Sequence, residues 1–265
     1  MNSIQQTFAD SRPAGRGVLV VYVTAGDPSL EETVQIVTTV TDSGADIIEL
    51  GIPYSDPLAD GPTIQAASQR ALTAGATIQG VFDCAGQIRQ HTSIPLVIMT
   101  CYNPILQFGP EAFAQEASKV GIDGILASDL PPSEAEQWCA VAAEHELATV
   151  FLVAPTTPQQ RVARAVKCTT GFVYAVARPG VTGARDELPE DLKDSVARIR
   201  QVTDLSIAVG FGISTPQQVT AVCEIADGAI VGSAVINIIA KASDREARLK
   251  QVSQFVSDLA TASRQ

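Results

Sequence analysis

The chain has 265 residues, 46% of them hydrophobic and 18% charged, and 18 Lys and Arg against 29 Asp and Glu give a formal net charge of -11. That composition supplies one large apolar core and excludes the basic face that broad nucleic-acid binding or docking on anionic lipid requires. The longest apolar runs fall far short of the roughly 18–20 residues of a bilayer span, and the opening MNSIQQTFADSR has no basic stretch followed by an apolar one, so no secretory leader and a cytoplasmic location are expected.

Short runs rich in Val and Ile recur along the whole chain. They predict strands at Val18 to Thr24, Asp46 to Leu50, Leu96 to Thr100, Gly124 to Ala127, Thr149 to Val153, Phe172 to Val176, Ser206 to Val209 and Gly228 to Val231. Their apolar character is nearly unbroken, as in parallel strands buried on both faces. A helical segment follows each. Gly44 and Gly121 stand where helices should end, and Thr157-Pro158 and Thr215-Pro216 each place a capping hydroxyl before a proline suited to the first helical position. Asp244 to Ala262 reads as a closing helix with Leu249, Val252, Phe255, Val256 and Leu259 on one face.

Eight strand-helix units without a linker predict a single domain over residues 1–265, an α/β chain closed as a (β/α)8 or TIM barrel. A doubly wound open sheet is the alternative, and its usual glycine fingerprint is missing. Cys84, Cys101, Cys139, Cys168 and Cys223 are an odd number at wide spacings without Cys-x-x-Cys. They are read as small buried hydrophobes, and neither a disulfide framework nor a zinc site is expected. His91 and His145, each set in a predicted helix, are read as structural, so no metal site is expected.

In such a barrel chemistry sits at the C-terminal ends of the strands. Glu49 is the polar residue that stands out there, a carboxylate near the end of Asp46-Ile47-Ile48-Glu49-Leu50. A structural ion pair would explain it, but no basic residue occurs in the first five predicted strands, which favours a functional role. The next twelve residues, Gly51 to Pro62, hold three prolines and two glycines and carry Asp56 and Asp60. Asp60 precedes Gly-Pro at a probable helix start, so cap and catalyst are both open readings. A neutral Glu49 beside an ionised Asp60 would suit opposite proton-transfer roles. Glycines recur in the last three units, at Gly180 and Gly183, Gly210 and Gly212, and Gly232 before Ser233. Each pair alone is compatible with a turn. Three in succession point to a backbone cradle for phosphate.

The run Glu49-Leu50-Gly51-Ile52-Pro53-Tyr54-Ser55-Asp56-Pro57-Leu58-Ala59-Asp60-Gly61-Pro62-Thr63-Ile64-Gln65 closely resembles the signature of the tryptophan synthase alpha subunit family. Thr24-Ala25-Gly26-Asp27-Pro28, Asp129-Leu130-Pro131-Pro132, Pro155-Thr156-Thr157, Gly180-Val181-Thr182-Gly183, Gly210-Phe211-Gly212-Ile213 and Gly232-Ser233 are similar too, in order from residue 24 to 233. The resemblance implies a carbon-carbon lyase. Its reaction would be retro-aldol cleavage of indole-3-glycerol phosphate to indole and glyceraldehyde 3-phosphate, without an organic cofactor or metal of its own. It also implies an alpha2-beta2 assembly in tryptophan biosynthesis, whose beta subunit carries pyridoxal phosphate and receives the indole.

By the same resemblance Glu49 and Asp60 are catalytic, and Gly183, Gly212, Gly232 and Ser233 hold the phosphate. Tyr22, Tyr174 and Phe211 line the indole pocket, and Thr182 meets Asp60 when the sixth loop closes. The beta subunit would dock through the second loop and the Cys101 to Phe108 region, with Pro53, Asp56, Asn103 and Pro104 at the interface. Three departures stand out. Cys101 occupies a position where many members have Tyr, Ala177-Arg178-Pro179 replaces a usual Ser-Arg before Val181, and Ser128 replaces a Pro. Two other readings remain open here: a weakly active chain serving mainly as an allosteric partner of a beta subunit, and another phosphosugar-processing barrel.

Overall fold

The computed structural model describes residues 1–58, 60–177 and 188–264. Its strands are β1 (Val18–Thr24), β2 (Ile47–Gly51), β3 (Leu96–Thr100), β4 (Gly124–Ala127), β5 (Ala148–Val153), β6 (Val173–Val176), β7 (Ile207–Gly210) and β8 (Gly228–Val231). All pair in parallel with their sequence neighbours, and β8 returns to β1, Val18 facing Gly228, so the sheet is a closed (β/α)8 barrel. Every residue of β1 and β2 is buried, because the barrel interior takes one face of each strand and the helices cover the other.

The helices are α1 (Ser3–Ser11), α2 (Leu30–Asp42), α3 (Pro62–Thr73), α4 (Ile78–Arg89), α5 (Tyr102–Phe108), α6 (Pro110–Lys119), α7 (Glu136–Glu144), α8 (Gln159–Cys168), α9 (Leu192–Arg200), α10 (Pro216–Cys223), α11 (Ser233–Lys241) and α12 (Arg245–Ala262). Those after β2, β3 and β8 come in pairs. Between sheet and helices lies the larger apolar cluster, to which α2 contributes Ile36, Val37 and Val40. A second fills the barrel, with Val20, Ile47, Val97, Leu126, Val150 and Ala208 among its members.

The sequence reading leaves α1 out. Asn2 caps this helix by accepting from the Gln5 N–H while the Gln5 side chain returns to the Asn2 N–H. Ile4 and Phe8, one turn apart, are both fully buried against the N-terminal ends of the strands, and the Phe8 ring lies 5.6 Å from that of Phe172. That end of the barrel is plugged, which leaves the opposite end for a ligand.

Helix starts divide the expectations. Thr215 caps α10 as expected, in a box with Gln218. The Thr157 hydroxyl instead accepts from the Ala154 N–H, so α8 begins only at Gln159 with no side-chain cap. Gly44 and Gly121 follow the last residues of α2 and α6 in the left-handed region. Only Cys84 is fully buried; the other four cysteines are half-buried and all five are free. His91 and His145 fall just past the ends of α4 and α7, and His145 lies 2.7 Å from Glu111 of α6.

One ion pair ties the loop after β1 to α3. Arg70 donates through Nε and Nη2 to both oxygens of Asp27, at 2.8 and 2.7 Å, and Asp27 is 1% exposed. Removing the guanidinium strands a buried carboxylate. Arg70→Ala is therefore expected to destabilise the chain by about 2–3 kcal/mol, read as a lower denaturant midpoint at unchanged m-value.

Candidate active site

Glu49 sits within β2, facing Tyr22 across β1 and Val97 across β3. It is 2% exposed, and its Oε1 has no hydrogen-bond partner among the described residues. None of the ion pairs among the described residues includes it. A carboxyl so placed keeps its proton: burial first, and the nearby Asp60 charge second, push its pKa up to about 8.

Asp60 closes the loop after β2 and is also buried, at 4% exposure. It is not the helix cap. Gly61 holds that position for α3, with Pro62 as the first helical residue. The Asp60 side chain turns instead toward Glu49 and accepts a long hydrogen bond, 3.4 Å, from the Tyr54 hydroxyl, while its backbone oxygen accepts from Gln65 Nε2 at 2.9 Å. Burial raises its pKa to about 6, and the Tyr54 hydrogen bond opposes that rise. Near pH 7 the two carboxyls thus stand in opposite states, Glu49 neutral and Asp60 charged.

Both line a cavity of about 450 Å³, mouth included, at the C-terminal end of the barrel. Tyr22, Tyr174 and Phe211 give it aromatic walls, with the Tyr174 and Phe211 rings edge to face at 5.8 Å. Room for the two tyrosines comes from glycines on the adjacent strands. A methyl group on Gly51 would sit 2.2 Å from the Tyr22 hydroxyl, and one on Gly210 would sit 2.3 Å from that of Tyr174. Phe211 has φ of 75°, a conformation that costs a bulky side chain energy and that recurs at binding sites.

Gly212, Gly232 and Ser233 form the far side of the cavity. Gly232 is the N-cap of α11, and the first internal bond of that helix runs from the Ile236 N–H to the Gly232 oxygen. The N–H groups of Ser233, Ala234 and Val235 precede any intrahelical partner, and the helix dipole adds partial positive charge at the same place. An anion is favoured there without Lys or Arg.

The structure therefore brings Tyr22, Glu49, Asp60, Tyr174, Phe211, Gly212, Gly232 and Ser233 into one cavity. Thr182 and Gly183 lie outside the described residues. Sequence reasoning missed Ile64, Met99, Ile213 and Ile230, which complete the lining; the alternation of strands in and out of the barrel marks Met99, two residues after Val97, and Ile230, and nothing in the sequence sets Ile64 and Ile213 apart from core residues. Pro53 and Pro104, expected on a docking surface, are buried. Pro53 lies in the loop after β2 and Pro104 within α5, and the exposed residues near them include Asp56, Leu58, Asn103 and Leu106. Among the described residues no group of three or more His, Cys, Asp or Glu is placed to hold a metal ion, and no helix is long and apolar enough to cross a membrane.

Comparison with known proteins gives a consistent result. The family described as "Tryptophan synthase alpha chain" matches residues 8–264. The tryptophan synthase alpha chain of Geobacter sulfurreducens is 44% identical over 98% of each chain, and that of Caldanaerobacter subterraneus subsp. tengcongensis 42% identical over the same shares. Among solved structures, Mycobacterium tuberculosis tryptophan synthase superposes with a TM-score of 0.92 at 35% identity, covering 99% of this chain and 98% of that one. The alpha subunit from Legionella pneumophila gives 0.91 at 36% identity with the same coverage. A tryptophan synthase from Pyrococcus furiosus, described as an a2b2 complex, gives 0.86 at 40% identity over 92% of this chain and 98% of that one. With a matching sequence, a closed barrel and a cavity holding the signature carboxylates, this chain belongs to the tryptophan synthase alpha chain family.

Proposed function

We propose that the chain cleaves indole-3-glycerol phosphate to indole and glyceraldehyde 3-phosphate, with Glu49 as the proton carrier and Asp60 as the fixed negative charge. The single observation that carries this assignment is one cavity that holds two buried carboxyls, Glu49 with its Oε1 unpartnered among the described residues and Asp60 accepting from Tyr54. Neutral Glu49 gives its proton to C3 of the indole ring, and the cation that spreads to the ring nitrogen is stabilised by the Asp60 carboxylate. The bond from C3 to the glycerol carbon then breaks. Its electron pair returns to the ring and neutralises the nitrogen. The hydroxyl on the departing carbon becomes an aldehyde and gives its proton back to Glu49, which ends the cycle neutral.

The aromatic walls suit the indole, and the amino end of α11 with Gly212 suits the phosphate. Proton transfer and charge stabilisation are both supplied by carboxylates, so the step needs no organic cofactor or metal. Cytoplasmic placement and transfer of indole to a pyridoxal-phosphate beta subunit in an alpha2-beta2 assembly belong to the same proposal. Asp56 and Leu58 of the loop after β2, with Asn103 and Leu106 of α5, present the exposed surface for that partner. A purely allosteric role is not favoured, because both carboxylates and their cavity are present. Nor is another phosphosugar reaction, given the match along nearly the whole chain.

The test is indole release from indole-3-glycerol phosphate by the full chain, alone and with a beta subunit, across pH. A bell with limbs near 6 and 8 is expected, since activity needs Asp60 charged and Glu49 neutral. No indole at any pH, or a rate that is flat from pH 5 to about 9, overturns the assignment.

A further inference from the structure

We infer that Tyr54 is a positioning residue for this reaction: its hydroxyl is the donor that holds the Asp60 carboxylate in place beside the cavity. The inference rests on the lyase reading for its kinetic part and on geometry for the rest. Asp60 is 4% exposed, and among the described residues its carboxylate accepts one hydrogen bond, from Tyr54. A buried carboxylate needs either a cation or donors to remain charged. The ionisable groups that face it are Tyr22 from β1, Glu49 from β2, Tyr174 from β6, Cys101 at the end of β3 and Tyr54 from its own loop. None of these carries positive charge.

Tyr54 is well suited to donate at every working pH. Burial and the Asp60 charge push its phenol well above the usual tyrosine range, so it keeps its proton. Cys101, beside it, is pushed up to about 11 and stays a neutral thiol, a weak donor. Ser128, just after β4, lies near the same hydroxyl, and its buried Oγ has no hydrogen-bond partner among the described residues; turned toward Tyr54 its O–H donates, which leaves the Tyr54 proton for Asp60. Tyr54 is absent from the cavity lining, so it reaches a substrate only through Asp60.

Tyr54→Phe keeps the ring and removes only the donor. In the full chain, kcat is expected to fall about three- to tenfold with KM changed less than about twofold. The acid limb of the kcat profile should move up by about half to one pH unit, because the lost hydrogen bond favoured the charged form. Carbon-13 NMR of the Asp60 carboxyl should show the same upward move without substrate. Because that titration is independent of turnover, a wild-type chain without lyase activity would sink the lyase reading while leaving Tyr54 decidable. An Asp60 titration unchanged in Tyr54→Phe overturns the inference, and so does a loss confined to KM or to melting temperature.

Discussion

Glu49→Gln is expected to lower indole formation by about 10²–10⁴-fold, toward the upper end because the same side chain gives and then recovers a proton. The amide keeps the shape and cannot do either. Stability should move the other way. The folded chain holds the Glu49 proton up to about pH 8, whereas the unfolded chain releases it near the ordinary glutamate value of 4.5. Between those values the folded state binds more protons, so stability is full below about 4.5 and is lost as pH rises toward 8. The slope is at most about 1.4 kcal/mol per pH unit for one group. Gln removes that dependence. Denaturant unfolding at pH 5 and pH 8 should show the variant gaining on the wild type at the higher pH, while indole release is nearly gone. Near wild-type turnover, or parallel stability curves, would dispose of the neutral-acid role.

Asp60→Asn should cost about 10²–10³-fold in kcat, the range for removing one fixed charge or donor from a developing charge in a closed site. Its pH profile carries more information than the magnitude. The acid limb near 6 should vanish, since it reports Asp60 ionising. The basic limb should also shift, to lower pH, because the Asp60 charge is one of the two causes that lift Glu49. Burial is the larger cause, so Glu49 should still titrate above an exposed glutamate. Carbon-13 NMR of the Glu49 carboxyl in Asp60→Asn gives the direct reading, and an unchanged titration would show that the two carboxyls do not sense each other.

Much of the architecture was legible because parallel barrel strands must be apolar on both faces. Val18 to Thr24, Leu96 to Thr100, Gly124 to Ala127 and Gly228 to Val231 match β1, β3, β4 and β8 residue for residue. The other four shift by one residue at one or both ends, where a ladder bond and not a side chain decides. The helix α1 was written in Asn2-Ser3-Ile4-Gln5 and in the Ile4 and Phe8 spacing, but nine residues make too weak a periodic signal to stand out. Thr157 misled because a short hydroxyl serves whichever N–H is nearer, and that was Ala154.

The site divides in the same way. Glu49 is conspicuous because a charge inside an apolar strand has few structural excuses. Asp60 was ambiguous, since Asp before Gly-Pro fits a cap equally well; only the folded loop turns it inward. Tyr54 was invisible, because the direction of a side chain between Pro53 and Pro57 depends on backbone angles that spacing does not encode.

Closure of the ring through β8 and β1 also sets an order of events during synthesis. The acid of the proposed reaction leaves the ribosome in the first fifth of the chain, whereas its anion seat emerges only after residue 231. Until then β1 exposes an unpaired edge to every other nascent strand in the cell. A half-made chain is thus chemically inert and prone to stick, and both conditions end only when β8 and the start of α11 have arrived.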